Sequence, residues 1–289
     1  MKKTLSLILA GLLTAAMAVT ASAAWQDTDT TDIKFGVKGI AADVAWAADG
    51  VWTEGEYAEV VIDKAWMSAA VNDEANLAAA KDLDVKLGMS WDADYLYTYA
   101  EFEDANGHEN ANDADMTLIW QAGAMQINLA EVDGTGDQRL EYGIAVSSDT
   151  DAMLSNVWAD YLASGYTVPA EDYTVITDGT TMIYEYRTPF SAFSAVAPAE
   201  GAQYGVNLVF AWGNGTDYIH SQLAAGCTGD PGKAADRFAD ITLEEAIVVE
   251  TEPEVVEEVA EAPATFDAGI VAAVAAIVSA AGYAISKKR

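Results

Sequence analysis

One cysteine and two histidines among 289 residues remove several options at once. Cys227 alone cannot form an internal disulfide, so stability must come from packing or a bound ion. His108 and His220 leave almost no material for a histidine-based metal site, and no Ser-His-Asp or Cys-His order is evident. Basic residues are also scarce: 14 Lys and Arg face 46 Asp and Glu. Five of those bases are Lys2, Lys3, Lys287, Lys288 and Arg289, so the stretch between the ends carries nine bases against all 46 acids. Such a surface repels nucleic acid and anionic lipid, which excludes DNA or RNA as a partner. It suits cations or neutral ligands such as sugars. A long amphipathic helix is missing too, and Trp66 to Ala80 has room for one short turn.

The two ends read differently from the middle. Met1-Lys2-Lys3, the apolar stretch Leu5–Val19 and the small-residue site Ala21-Ser22-Ala23 predict a secretory signal peptide over residues 1–23. At the other end, Ala268–Ile285 is an uncharged run of 18 residues, about 27 Å as a helix, followed by Lys287-Lys288-Arg289. It predicts a transmembrane anchor over 265–289, with the basic tail cytoplasmic and the rest of the chain on the outer face of the membrane. Between the anchor and the middle, residues 244–264 are rich in Glu and contain no base, which predicts an acidic disordered linker. Pro263-Ala264-Thr265 resembles the Pro-x-Thr core of a Gram-positive sortase signal, although Ala262 and Phe266 replace its usual Leu and Gly. Cell-wall attachment is the alternative that this resemblance implies.

Residues 24–243 are long enough for one domain with an ample core. Within them apolar and polar residues alternate in short segments. Val85, Leu87, Met89 and Trp91 share one face, and Tyr204, Val206, Leu208, Phe210 and Trp212 form another inward row. Asp133-Gly134, Asp178-Gly179 and Gly213-Asn214-Gly215 supply turns between such segments. The pattern predicts an all-β fold, an antiparallel β-sandwich of immunoglobulin-like or jelly-roll type. In "WDADYLYTYAEFED", Leu96, Thr98, Ala100 and Phe102 point one way. Tyr95, Tyr97, Tyr99 and Glu101 point the other way, as a tyrosine ladder that is either a ligand surface or the outer skin of a sheet.

These segments also carry a resemblance. "ADGVWTEGEYAEV" (48–60), "VKLGMSWDADYLYTYAEFED" (85–104), "WQAGAMQINL" (120–129), "QRLEY" (138–142), "IYEYRTPFSAF" (183–193) and "GDPGKAADRFADITL" (229–243) fall in the order of the motifs of carbohydrate-binding module family 9 and its DOMON-like relatives. The resemblance implies a sugar held against tryptophan rings. The first family Trp maps onto Trp120, with Gln126 on the same segment. The second falls near Thr228, where this chain has no aromatic; Trp158, Tyr161 or Tyr218 are the available substitutes. Arg139 matches the family's polar Arg, with Tyr142 beside it. Each role has a plainer rival: Trp120 as the inward end of a strand "DMTLIW", and Arg139 as the ion-pair partner of Glu141.

The loop "EDANGHENANDAD" gathers Asp104, Asn106, Asp113 and Asp115, the oxygen donors that Ca²⁺ requires. Asp133 and Asp137 form a thinner second cluster. Three functions therefore stand: a non-catalytic surface protein that docks a neutral polysaccharide or oligosaccharide, a structural or adhesive envelope protein without a sugar site, and a haem-holding domain using Met89, Met125, His108 or His220. A glycosidase would need two carboxylates at a set separation across a cleft, and the resemblance is to a binding fold.

Overall fold

The computed structural model describes residues 25–27, 32–132, 134–136, 138–214, 216–227 and 233–249. The expected signal peptide, the apolar run Ala268–Ile285, Pro263–Thr265, Thr228, Asp133 and Asp137 lie outside these residues. Among the described residues no helix is long and apolar enough to cross a membrane.

Among the described residues the alternating segments become fourteen strands. The first half contains β1 (Trp25–Asp27), β2 (Lys34–Gly39), β3 (Ala58–Val60), β4 (Ser68–Val71), β5 (Val85–Trp91), β6 (Tyr95–Glu103) and β7 (Ala122–Glu131). The second half contains β8 (Leu140–Val146), β9 (Met153–Asp160), β10 (Tyr173–Thr177), β11 (Thr181–Pro189), β12 (Gln203–Asn214), β13 (Ile219–Gln222) and β14 (Ala239–Ala246). Among the described residues one short α-helix, α1 (Leu77–Lys81), interrupts them where a single turn was expected. β14 runs three residues past the expected domain end at 243, into the segment read as linker, because Ile247 still donates to the Gly39 carbonyl at 2.8 Å.

All strands join one sheet, ordered β1-β4-β13-β12-β14-β2-β5-β6-β11-β10, with β3 added on β5 and β7, β8 and β9 continuing from β12. The sheet wraps into a nearly closed, sandwich-like shell. Most pairs are antiparallel, as expected, but β14–β2 and β2–β5 are parallel, so the sandwich is not purely antiparallel. β12 is long enough to border β14 along its first half, β13 along its second, and β7 along its other edge.

Side-chain alternation fills the shell. Tyr204, Val206, Leu208, Phe210 and Trp212 from β12 meet Leu87, Met89, Leu96, Phe102, Met125, Ile127, Tyr142 and Tyr184 in one core. Each fully buried side chain of this size contributes about 1.5–3 kcal/mol. The tyrosine ladder is skin, not a ligand surface. The segment 41–57 crosses it as a strap, and Trp46, Trp52 and Tyr57 bury Tyr97 and Tyr99. Gly88 permits this approach, since a Cβ there would stand 2.7 Å from the Trp52 ring.

Candidate functional site

Strand alternation decides which side chains of β7 can meet a ligand. Met125, Ile127 and Leu129 enter the core, so Ala124, Gln126, Asn128 and Ala130 lie on the outer face. Register extends that face across the neighbouring strands. Asn128 lies between Asn207 and Glu141, Gln126 between Val209 and Gly143, and Ala124 beside Ala211. On β13, Gln222 and His220 continue the rows beside Val209 and Ala211. The result is a polar strip of amides and charges on a sheet whose other face is apolar.

Trp120 stands at one end of this strip. The expectation that "DMTLIW" is a strand is not met. Asp115 caps a 3-10 helix over Met116–Gln121 by accepting from Thr117 N at 3.1 Å, and β7 starts only at Ala122. The helix sends Ile119 down onto Ala124, Ala145, Leu154 and Ala211, and leaves Trp120 half-buried at the rim. Its indole meets Tyr218 edge-on, with centroids 5.8 Å apart and planes at 65°, and meets His220 at 6.0 Å and 74°. The three rings form an angular corner. His220 Nε2 donates to the Trp120 carbonyl at 2.7 Å, so its Nδ1 is the acceptor nitrogen, and that atom is buried without a partner. Burial lowers the His220 pKa to about 4, leaving the ring neutral at pH 7.

A second indole frames the strip from β9. The β8–β9 register slips between Glu141 and Tyr142, which makes Trp158 an extra residue. It folds over Gly143, where a Cβ would lie 2.5 Å from the ring, and donates from Nε1 to the Thr117 carbonyl at 3.1 Å.

The remaining sugar-site candidates are sorted by the same alternation. Gln126 is on the outer face, buried to 3% exposure. Arg139 is on that face too, 6% exposed, and donates to Glu141 Oε2 from Nε at 3.0 Å and from Nη2 at 2.6 Å. The plainer ion-pair reading of Arg139 is therefore what the geometry contains. Lys233 takes the other Glu141 oxygen, so a fully buried carboxylate sits between two cations. Tyr142 requires a correction. It is one residue out of phase with Glu141, so it points into the core, fully buried, with its hydroxyl 2.6 Å from Thr188 Oγ1. It cannot touch a ligand on the outer face.

The oxygen-rich loop is dispersed among local hydrogen bonds. Asp104 is fully buried and accepts from Asn106 N at 3.0 Å, while Asn106 Nδ2 donates to the Trp212 carbonyl at 2.7 Å. Burial raises the Asp104 pKa to about 7. Asp113 accepts from Ser147 Oγ at 3.0 Å and Thr150 Oγ1 at 2.8 Å, and Asp115 is the helix cap. Among the described residues no three His, Cys, Asp or Glu side chains form a metal-holding group. Of the haem candidates, Met89 and Met125 are in the core, His108 lies against Gly123, and His220 is on the outer face of the same sheet.

No family model matches the chain, and no curated protein does. Solved structures do. The chain is similar to a family 9 carbohydrate-binding module from Caldicellulosiruptor kristjanssonii in complex with cellotriose, at 16% identity and a TM-score of 0.50, over 76% of this chain and all of that one. The fold is that of a family 9 module. A family 9 module from the same organism in complex with glucose aligns at 15% identity and a TM-score of 0.44, over 76% of this chain and all of that one. Within this family 9 fold, Trp120, Gln126 and Arg139 occupy one face, and Tyr142 does not. Asn128 and Lys233 were missed as members of that face, whereas Glu141 is legible as the ion-pair partner of Arg139 from their Arg-x-Glu spacing. Nothing local announces a lysine arriving 92 residues later.

Proposed function

We propose that the domain binds a neutral saccharide, without breaking it, at the corner formed by Trp120 and Tyr218 on the rim of the outer face. The observation that carries this is the half-exposed Trp120 ring set edge-on to Tyr218, beside an amide-rich strip. Sugar C–H faces form apolar patches that suit an aromatic wall, while hydroxyls need fixed polar partners. The family 9 fold adds support, since a module of similar fold is in complex with cellotriose. A neutral ligand also suits a chain with 46 acids, because its contacts do not depend on charge.

A second reading, a structural or adhesive protein that keeps the fold without a sugar site, has one observation in its favour. Gln126 and Arg139 are buried, and the Arg139 Nε and Nη2 groups are engaged by Glu141. A glycan array followed by calorimetry separates the two. In the saccharide reading, Trp120→Ala lowers affinity by about 1–3 kcal/mol, the scale of base stacking on aromatic side chains, with the melting curve retained. Affinity changes little between low and high salt. An array without hits, or a Trp120→Ala variant that unfolds, favours the structural reading.

A further inference from the structure

The polar strip is roofed by two arms of chain, Leu223–Cys227 and Lys233–Phe238. The first is held at its root: Ala224 N donates to Asn207 Oδ1 at 3.0 Å, Asn207 Nδ2 donates to the Ala225 carbonyl at 2.8 Å, and Ser68 Oγ donates to the Ala224 carbonyl at 2.7 Å. The second is held to the first by Ala234 N donating to the Gly226 carbonyl at 2.9 Å, and to the sheet by Lys233 on Glu141. Cys227, Ala235 and Phe238 complete the roof over Ala130 and Val209.

The roof and the floor are not matched. It satisfies both amide atoms of Asn207 and shares Glu141 with Arg139. Asn128, directly between those two residues, is 0% exposed, and neither its Nδ2 nor its Oδ1 has a hydrogen-bond partner. A buried side-chain amide with both ends unpaired is rare, because it loses its water without replacement. An apolar residue of the same size would serve a purely structural floor better. The amide offers donors and acceptors together, the complement of adjacent hydroxyls that each donate and accept.

Resting on the saccharide reading above, we propose that this floor is a covered subsite for a neutral, hydroxyl-bearing ligand. Asn128 is its ligand-contacting residue, and the Lys233–Glu141 pair pins the cover shut. Lys233 is the exposed member of that pair, its side chain 38% accessible, while Glu141 keeps Arg139 when Lys233 lets go. Release therefore leaves no unpaired buried charge, which makes Lys233 the natural point of opening.

Two variants of the full chain test this. Lys233→Met keeps the aliphatic stem and removes the pin, and Cys227, buried within the roof, is a built-in reporter. Its reaction with an aromatic disulfide reagent should quicken at least tenfold, and affinity for cello-, xylo- or mannotriose should rise. Asn128→Leu should raise the melting temperature of the free protein and weaken binding of the same trisaccharides at least tenfold. An unchanged Cys227 labelling rate in Lys233→Met overturns the pin. Asn128→Leu binding as tightly as the parent, while Trp120→Ala does not bind, overturns the subsite and leaves the Trp120 reading standing. No binding of any trisaccharide to the parent chain removes both. Should Asn128→Leu fail to fold, Asn128→Ala enters the same binding assay with the same criterion.

Discussion

At the scale of single residues, burial decides more than chemistry. Glu185 is fully buried beneath the strap and accepts from the Gly50 N–H at 2.5 Å and the Tyr57 hydroxyl at 2.7 Å, and Trp46 Nε1 donates to that hydroxyl in turn. Loss of water outweighs those bonds, with Glu56 adding repulsion, and raises the Glu185 pKa to about 7 from 4.5. The folded chain therefore holds this proton where the unfolded chain has released it. The stability it gives is complete below about pH 4.5 and is lost as pH rises through 7, at no more than about 1.4 kcal/mol per pH unit. Asp104 titrates in the same window, so the comparison is made between variants. Urea melts should show Glu185→Gln losing less stability than the parent between pH 5 and 8. Equal slopes would mean that Glu185 does not titrate there. The resemblance to family 9 singled out Trp120, Gln126 and Arg139, not their own pattern along a strand. Tyr142 came with them and was misjudged: it sits next to Glu141, and neighbours on a strand look away from each other.

Among elements, the strands were readable and the irregular pieces were not. The inward row of β12 follows directly from its period of two. The 3-10 helix before β7 hides behind "MTLIW", whose β-branched and aromatic residues suit a strand, and only Asp115 two residues before Thr117 hints at a cap. The strap is similar: nothing in 41–57 says which face it covers until Arg187 is located. The Arg187 guanidinium lies between Trp46 at 5.0 Å and Tyr95 at 4.3 Å, while Nε and Nη2 both reach Asp172 Oδ1 at 2.7 Å. That one side chain ties β11 to the strap, to the start of β6 and to the short helix Ala170–Asp172. Lysine has a point charge and no planar fork, so it cannot stack on two rings and hold the carboxylate together. Arg187→Lys should cost about 1–2 kcal/mol in a thermal melt, with the fold intact by circular dichroism. No change would show that the stacked geometry contributes nothing.

For the whole molecule, the order of motifs carried the fold assignment even though no single motif was specific. A 14-stranded sheet is a sum of many weak local patterns, and its parallel β14–β2 and β2–β5 pairs depend on which strands meet, not on anything within them. Calcium belongs at this scale too, because most of the chain's 46 acids fall within the domain and repel one another across it. If the loop from Asp104 to Asp115 gathers an ion, calcium at 100 times its dissociation constant adds about 2.7 kcal/mol. Melting temperatures in millimolar calcium and in chelator should then differ, and coincident melts would remove calcium from the account. Finally, the parallel pairing of β2 with β14 fixes how the domain carries load. Lys34 lies beside Asp240 and Gly39 beside Ala246, so the chain enters β2 at one end of the pair and leaves β14 at the other. Tension between those two points slides the strands along each other and strains their hydrogen bonds all at once. It does not open them one by one. Pulled between Lys34 and Ala246, the domain should resist as a unit and give way in a single high-force rupture, read by single-molecule force spectroscopy as one peak and not as a low plateau.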